Sequence, residues 1–320
     1  MSLRLTSADG RVQAAVDPHG GGLRKLLVDG CAIVESYPAG ERPPHAAGAV
    51  LFPWPNRTRD GRWSAHGTEH QLIIDEPGHQ NANHGLVREQ EFETRYRARD
   101  VVTVRTEVKD RPGYPFHVSL SIEYRLVEDG LRVRSQVRNL GGRPAPFALG
   151  FHPYLRIGSV PTAQLMPDVR AATVLELDDR LIPVGAHAVA GSPDELADRP
   201  LAATVLNHCY GGFTDVHGTI VHRLRAADGR TVDLRADSCF GWLQVYTCPQ
   251  FPRAGAAVTE LAFEPMTAPP NSLRSGADLI WIAPGADWSA TWSLHFLAPQ
   301  GRTPATGPAD AGVVNGRASV

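Results

Sequence analysis

A chain of 320 residues is long enough to bury a sizeable core. Its 32 basic and 34 acidic side chains, a net charge of -2, remove the electrostatic grounds for nucleic acid or an anionic membrane surface as partner. The cysteines Cys31, Cys209, Cys239 and Cys248 have neither CxxC nor zinc-type spacing, no apolar run approaches bilayer length, and Met1 to Gly10 lack a signal-peptide core, so the expectation is a soluble, cytoplasmic protein with free thiols and a small neutral ligand. In chain order, apolar and polar residues alternate through Val101 to Val108, and again from His117 to Leu126, where Val118, Leu120, Ile122, Tyr124 and Leu126 would form one buried face. Further strands are predicted over Leu131 to Val137, Val232 to Arg235, Trp242 to Thr247 and Ala290 to Phe296. Asp129-Gly130 and Asp228-Gly229 are expected to be hairpin turns, because glycine tolerates the positive φ that tight turns need.

One helix start is legible. Ser192-Pro193-Asp194-Glu195 has the capping-box residues with proline at the first helical position and predicts about two helical turns. The rest predicts an all-β fold, residues 1–300 forming a single domain of packed antiparallel sheets. From about Gly301, small residues, glycine and proline replace the strand pattern, and residues 301–320 are expected to be a flexible tail.

Four polar stretches interrupt this pattern. Phe52-Pro53-Trp54-Pro55-Asn56-Arg57 is a stiff platform from which Arg57 would project as a fork of donors. In Asn81-Ala82-Asn83-His84-Gly85-Leu86, Gly85 removes the side chain beside His84 and lets a ligand or another backbone approach. Gly150-Phe151-His152-Pro153-Tyr154-Leu155 and Leu261-Ala262-Phe263-Glu264-Pro265 each set a proton-transfer residue immediately before proline, which holds it in extended geometry. Brought together by the fold, His152 and Glu264 would make an acid/base pair. Taken singly, each also fits a hydrogen-bonded core histidine, a turn histidine or a surface charge.

In combination and in this order, P-N-R-x-x-D-G, N-H-G, G-x-H-P-Y and F-E-P-x-T-x-P-P-N resemble the aldose 1-epimerase (galactose mutarotase) family, over roughly Arg11 to Leu297. Gly113-Tyr114-Pro115-Phe116 and Pro146-Phe147 look like its bacterial branch. The resemblance implies a large antiparallel β-sandwich with a sugar site in a cleft on one face. It further implies Glu264 as general base, His152 as general acid, His84 as a second site histidine, and Arg57 with the neighbouring Asn56 as contacts to sugar oxygens. Where the family often has an aspartate that holds sugar hydroxyls, this chain has Asn207 in Asn207-His208-Cys209-Tyr210; an amide can donate or accept but lacks the charge. Asp215 lies outside the pattern.

Anomer interconversion needs one base for the C1 hydroxyl and one acid for the ring oxygen, reversing roles at closure. The flanking Phe263, Pro265 and Met266 would raise the Glu264 carboxyl by desolvation, while a histidine needs little help to exchange protons near neutral pH. No electrons move, so neither metal nor nucleotide cofactor is required, in keeping with the lack of a Gly-rich phosphate loop or metal-spaced histidine pair. Trp54 is expected to stack on a sugar face, whereas Trp242 is expected to fill the core. Three other readings remain open: a glycoside hydrolase, which would want a second carboxylate; a hexose-6-phosphate epimerase using Arg59, Arg62 and Arg88; and a sugar-binding module without catalysis. The sequence carries no mark of oligomeric state.

Overall fold

The structure, a computed structural model, describes residues 2–197 and 199–299. The expected tail at 301–320 lies outside them. Two large antiparallel sheets dominate. In the first, of nine strands, Glu93–Arg97, Val101–Val108, Val118–Val127 and Gly130–Asn139 follow one another, and Asp287–Leu297 joins them to Thr231–Asp237 and Thr219–Arg225. Each predicted strand is present, Val101–Val108 with the expected bounds and the others shifted or extended, most of all Trp242–Arg253, which runs six residues beyond Thr247. The expected face is buried: Val118, Leu120, Ile122 and Tyr124 are fully covered and Leu126 nearly so, and each large side chain of this kind contributes about 1.5–3 kcal/mol on leaving water.

The second sheet, of eight strands, is centred on the long hairpin Trp242–Arg253 and Ala256–Met266, with Asn207–Gly211 on one side and Gly150–Phe151 on the other. The inner faces of the two sheets interdigitate: Phe151 of the second sheet lies 5.0 Å, ring centroid to ring centroid, from Trp292 of the first. One apolar cluster runs through both sheets, from Leu3 to Phe296. Leu243, Val245, Leu261 and Phe263 point into it. The alternate residues Gln244, Tyr246 and Glu264 therefore face the other way, onto the outer surface of the second sheet.

Two local expectations are corrected. Ser192 to Glu195 form a turn, not a helix, and Leu196–Ala197 pair as a short strand with Met166–Val169. Cap-like hydrogen bonds do form: the Asp194 N–H donates to Ser192 Oγ and the Gly191 N–H to Glu195 Oε2. Only Leu196 is buried in this segment, however, so no apolar stripe sustains a helix. Both glycine turns connect hairpins, but only Gly229 has positive φ, at 87°. Gly130 is required for a different reason, since a Cβ there would lie 1.9 Å from the Leu294 carbonyl oxygen of the neighbouring strand.

Candidate active site

The four polar stretches converge on one cleft of about 420 Å³ on the outer face of the second sheet. Glu264 reaches it from the Ala256–Met266 strand, directly opposite Gln244, with Asn207 one row further along. His152 leaves the Gly150–Phe151 strand just before Pro153, its backbone bonded on both sides: its N–H donates to Ala49 O and its carbonyl accepts from the Gly48 N–H. Thr267 braces this stretch, its hydroxyl and N–H both engaging the Leu149 backbone.

His84 and Asn56 are held against each other by reciprocal bonds. The His84 N–H donates to Asn56 O, and the Asn56 N–H donates to His84 Nδ1 at 3.1 Å. Both residues have positive φ, 60° and 53°. Gly85 admits another backbone rather than a ligand: its Cβ position lies 2.1 Å from Phe52 O. Arg57 is fixed by a bidentate pair with Glu76 and by donation to Asn56 Oδ1. Asn271, the last residue of the Glu264 stretch, ties its strand down by donating to Arg57 O and accepting from the Arg59 N–H.

Glu264, His152 and His84 are 2%, 5% and 9% exposed. His152 Nε2 lies 3.2 Å from Glu264 Oε1, and the His84 and His152 rings meet edge to face at 5.6 Å. Glu264 Oε2 is buried with no hydrogen-bond partner. Burial pushes the Glu264 carboxyl up to about 8, against the pull of Arg57. Burial likewise pushes His152 down to about 3 and His84 well below the usual histidine range, where His152 adds to the effect. The rise of Glu264 follows the expectation from its neighbours. The fall of His152 does not: a pre-proline histidine among aromatics is desolvated far more than its position in the sequence conveys. Because Nδ1 of His84 accepts a backbone N–H, the neutral ring carries its proton on Nε2 and is a donor.

Of the predicted site residues, Glu264, His152, His84, Arg57, Asn56 and Asn207 all line the cleft. Trp54 is a correction: it is 2% exposed and packed in the inter-sheet core, because the flanking prolines stiffen the backbone without directing the ring to solvent. Trp242 is the converse correction, half-buried on the outer face with its indole N–H bonded to Asp278. Of the arginines named for a phosphate, only Arg88 lines the cleft; Arg59 is paired with Asp178, and Arg62 lies in a separate hollow. Asp215 is exposed and bonded to the Gly218 N–H. Sequence reasoning missed Gln244, Tyr246, His45, His79 and Asn83. For Gln244 and Tyr246 the signal was present, since they share a strand face with Trp242 that mixes polar and aromatic residues. The ligand atoms of His84, His152 and Glu264 lie within 4.8 Å of one another, so the same three groups form a donor set of two nitrogens and one oxygen that a divalent cation would fit.

Among the described residues no helix is long and apolar enough to cross a membrane. Comparison with known proteins matches residues 2–295 to the family model for aldose 1-epimerase. The uncharacterized Escherichia coli K12 protein YihR is 32% identical over 288 residues, covering 88% of this chain and 89% of that protein. Two solved structures share the fold: the GalM/aldose epimerase homologue from C. elegans (TM-score 0.81, 15% identity, 93% of this chain and 99% of that one) and galactose 1-epimerase from Lactobacillus acidophilus NCFM (TM-score 0.77, 17% identity, 92% and 93%). With its four motifs gathered in one cleft and the family match spanning nearly its whole length, the chain belongs to the aldose 1-epimerase family.

Proposed function

We propose that the protein interconverts the α and β anomers of an aldose, and that Glu264 and His152 act as a pair holding one proton between them. The observation that carries this reading is the contact of Glu264 Oε1 with His152 Nε2 at 3.2 Å, beside a buried Oε2 with no partner, at the floor of a cleft of sugar size. The two groups stand side by side. That suits the chemistry, because the C1 hydroxyl and the ring oxygen are both bonded to C1.

With values near 8 and 3, the pair carries one proton across the whole interval between them. In one arrangement the carboxyl is protonated and the imidazole neutral; in the other, carboxylate faces imidazolium. The second is productive. Glu264 takes the proton of the C1 hydroxyl while His152 gives its own to the ring oxygen, the bond from C1 to the ring oxygen breaks, and the open aldehyde forms. The pair is then in its first arrangement. Rotation about the C1–C2 bond and closure on the other face reverse each transfer. The His84 Nε2–H and the Arg57 guanidinium stabilise charge on sugar oxygen during the step.

The test is polarimetry of freshly dissolved α-D-glucose and α-D-galactose with wild type, Glu264→Gln and His152→Asn. Wild type is expected to accelerate at least one sugar, and each variant to lose about 10²-fold or more, the usual worth of a positioned acid or base. Acceleration of neither sugar, or full activity in either variant, would overturn the proposal.

A further inference from the structure

A chain of amide hydrogen bonds runs along the cleft wall and has only one chemically allowed direction. Asn56 Oδ1 accepts from the Arg57 backbone N–H at 2.9 Å and from Arg57 Nη1 at 3.3 Å. Neither of those groups can accept a hydrogen bond, so the Asn56 oxygen must face Arg57 and its Nδ2 must face away. That Nδ2 donates to Gln244 Oε1 at 3.3 Å. Gln244 is therefore oriented in turn, and its Nε2 donates to Asn207 Oδ1 at 2.8 Å. Asn56 and Gln244 are 3% and 2% exposed, so water cannot readily substitute for these bonds. The Asn207 oxygen thus faces Gln244, which turns its Nδ2 to the other side, and the half-buried side chain lines the cleft.

We infer that Asn207 meets the sugar as a hydrogen-bond donor, with a direction imposed by Arg57 through Asn56 and Gln244, so that the substrate is an aldose presenting an acceptor oxygen at this point. This rests on the anomerase reading only for the identity of the ligand as a sugar. The consequence is specific. A hydroxyl is bound here through its lone pairs, and its own proton is not needed. A group that only accepts is tolerated; a group that neither donates nor accepts is rejected. Gln244 is a positioning residue, acting through the Asn207 amide.

Monodeoxy and monodeoxyfluoro analogues separate these possibilities, because fluorine accepts weakly but cannot donate. Affinities of D-glucose, D-galactose and both analogue series at each ring carbon beyond C1 are measured by saturation-transfer NMR, which does not require turnover, on wild type and Asn207→Asp. In wild type, one position is expected at which the deoxy analogue binds about tenfold or more weakly than the parent while the fluoro analogue retains most of the affinity. Asn207→Asp turns the group into an acceptor, and at that position the fluoro analogue should fall to the level of the deoxy one. Equal losses for deoxy and fluoro analogues at every position in wild type would overturn the inference, and this holds even if the variant fails to fold. A folded Asn207→Asp protein with an unchanged pattern would overturn it as well. Mutarotation of the parent sugars is followed in the same samples: sugars that bind with the expected pattern but are not turned over would contradict the catalytic reading alone.

Discussion

Glu264 and His152 are costly residues for the fold to keep. Each is buried away from its preferred charge state, and the cost depends on pH in a direction that can be worked out. An unfolded chain ionises Glu264 above its usual value near 4.5, whereas the folded protein holds the proton until about 8. Stability is therefore unaffected below the unfolded value and is lost as pH rises between the two. Replacing the carboxyl by an amide removes that penalty, so Glu264→Gln should be more stable than wild type at pH 7 by on the order of a few kcal/mol, and little different at pH 4. Thermal melts of both proteins at the two pH values measure it; a variant less stable at pH 7 would contradict the assigned burial cost. At this scale most of the site was legible, because proline before or after a polar residue marks a chain held still for a purpose. Trp54 was misread for the same reason: prolines fix the backbone but do not say which way the ring points. Gln244 was legible as a polar residue on a mixed strand face, but its link to Asn207 is a long-range relation that no local pattern encodes.

Among the elements, the central hairpin carries Glu264 and the short Arg57–Arg59 strand carries Arg57, and Asn271 joins the two. Its φ of 67° is one that asparagine adopts at lower cost than alanine. Asn271→Ala should lose the bond from the Arg59 N–H and add backbone strain, costing about 1–3 kcal/mol. Because Arg57 shifts with its strand, KM should also rise; calorimetric stability together with sugar kinetics tests both, and an unchanged KM would mean that Arg57 is held without Asn271. Gly130→Ala, far from the cleft, should destabilise by about 2 kcal/mol or more through its collision with the Leu294 carbonyl while leaving KM alone. Strands were legible wherever one face is wet and the other dry, as from Val118 to Val127. The misread helix at Ser192 shows that cap residues alone do not make a helix when no apolar stripe follows them.

For the whole molecule, two sheets pressed face to face leave the outer surface of one free to carry polar groups, and the loops around it close a cleft. Which sheet face would be catalytic could not be read from alternation, since both faces of the Trp242–Arg253 strand carry large apolar or aromatic residues. The motifs settled only that their residues belong together. The proposed proton transfer by Glu264 and His152 calls for no metal, so exhaustive chelation should leave mutarotation unchanged. Loss of activity on chelation, restored by a divalent cation, would instead give the His84, His152 and Glu264 cluster a metal-binding role.

The most direct test of the shared proton is the pH dependence of kcat/KM for mutarotation, which reports the free enzyme. With one proton on the pair, activity should hold through neutrality and fall as pH rises through about 8, where the pair loses its acid. A rate that instead climbs through that value to an alkaline plateau would mean that ionised Glu264 works without an acidic His152, and would contradict the pairing.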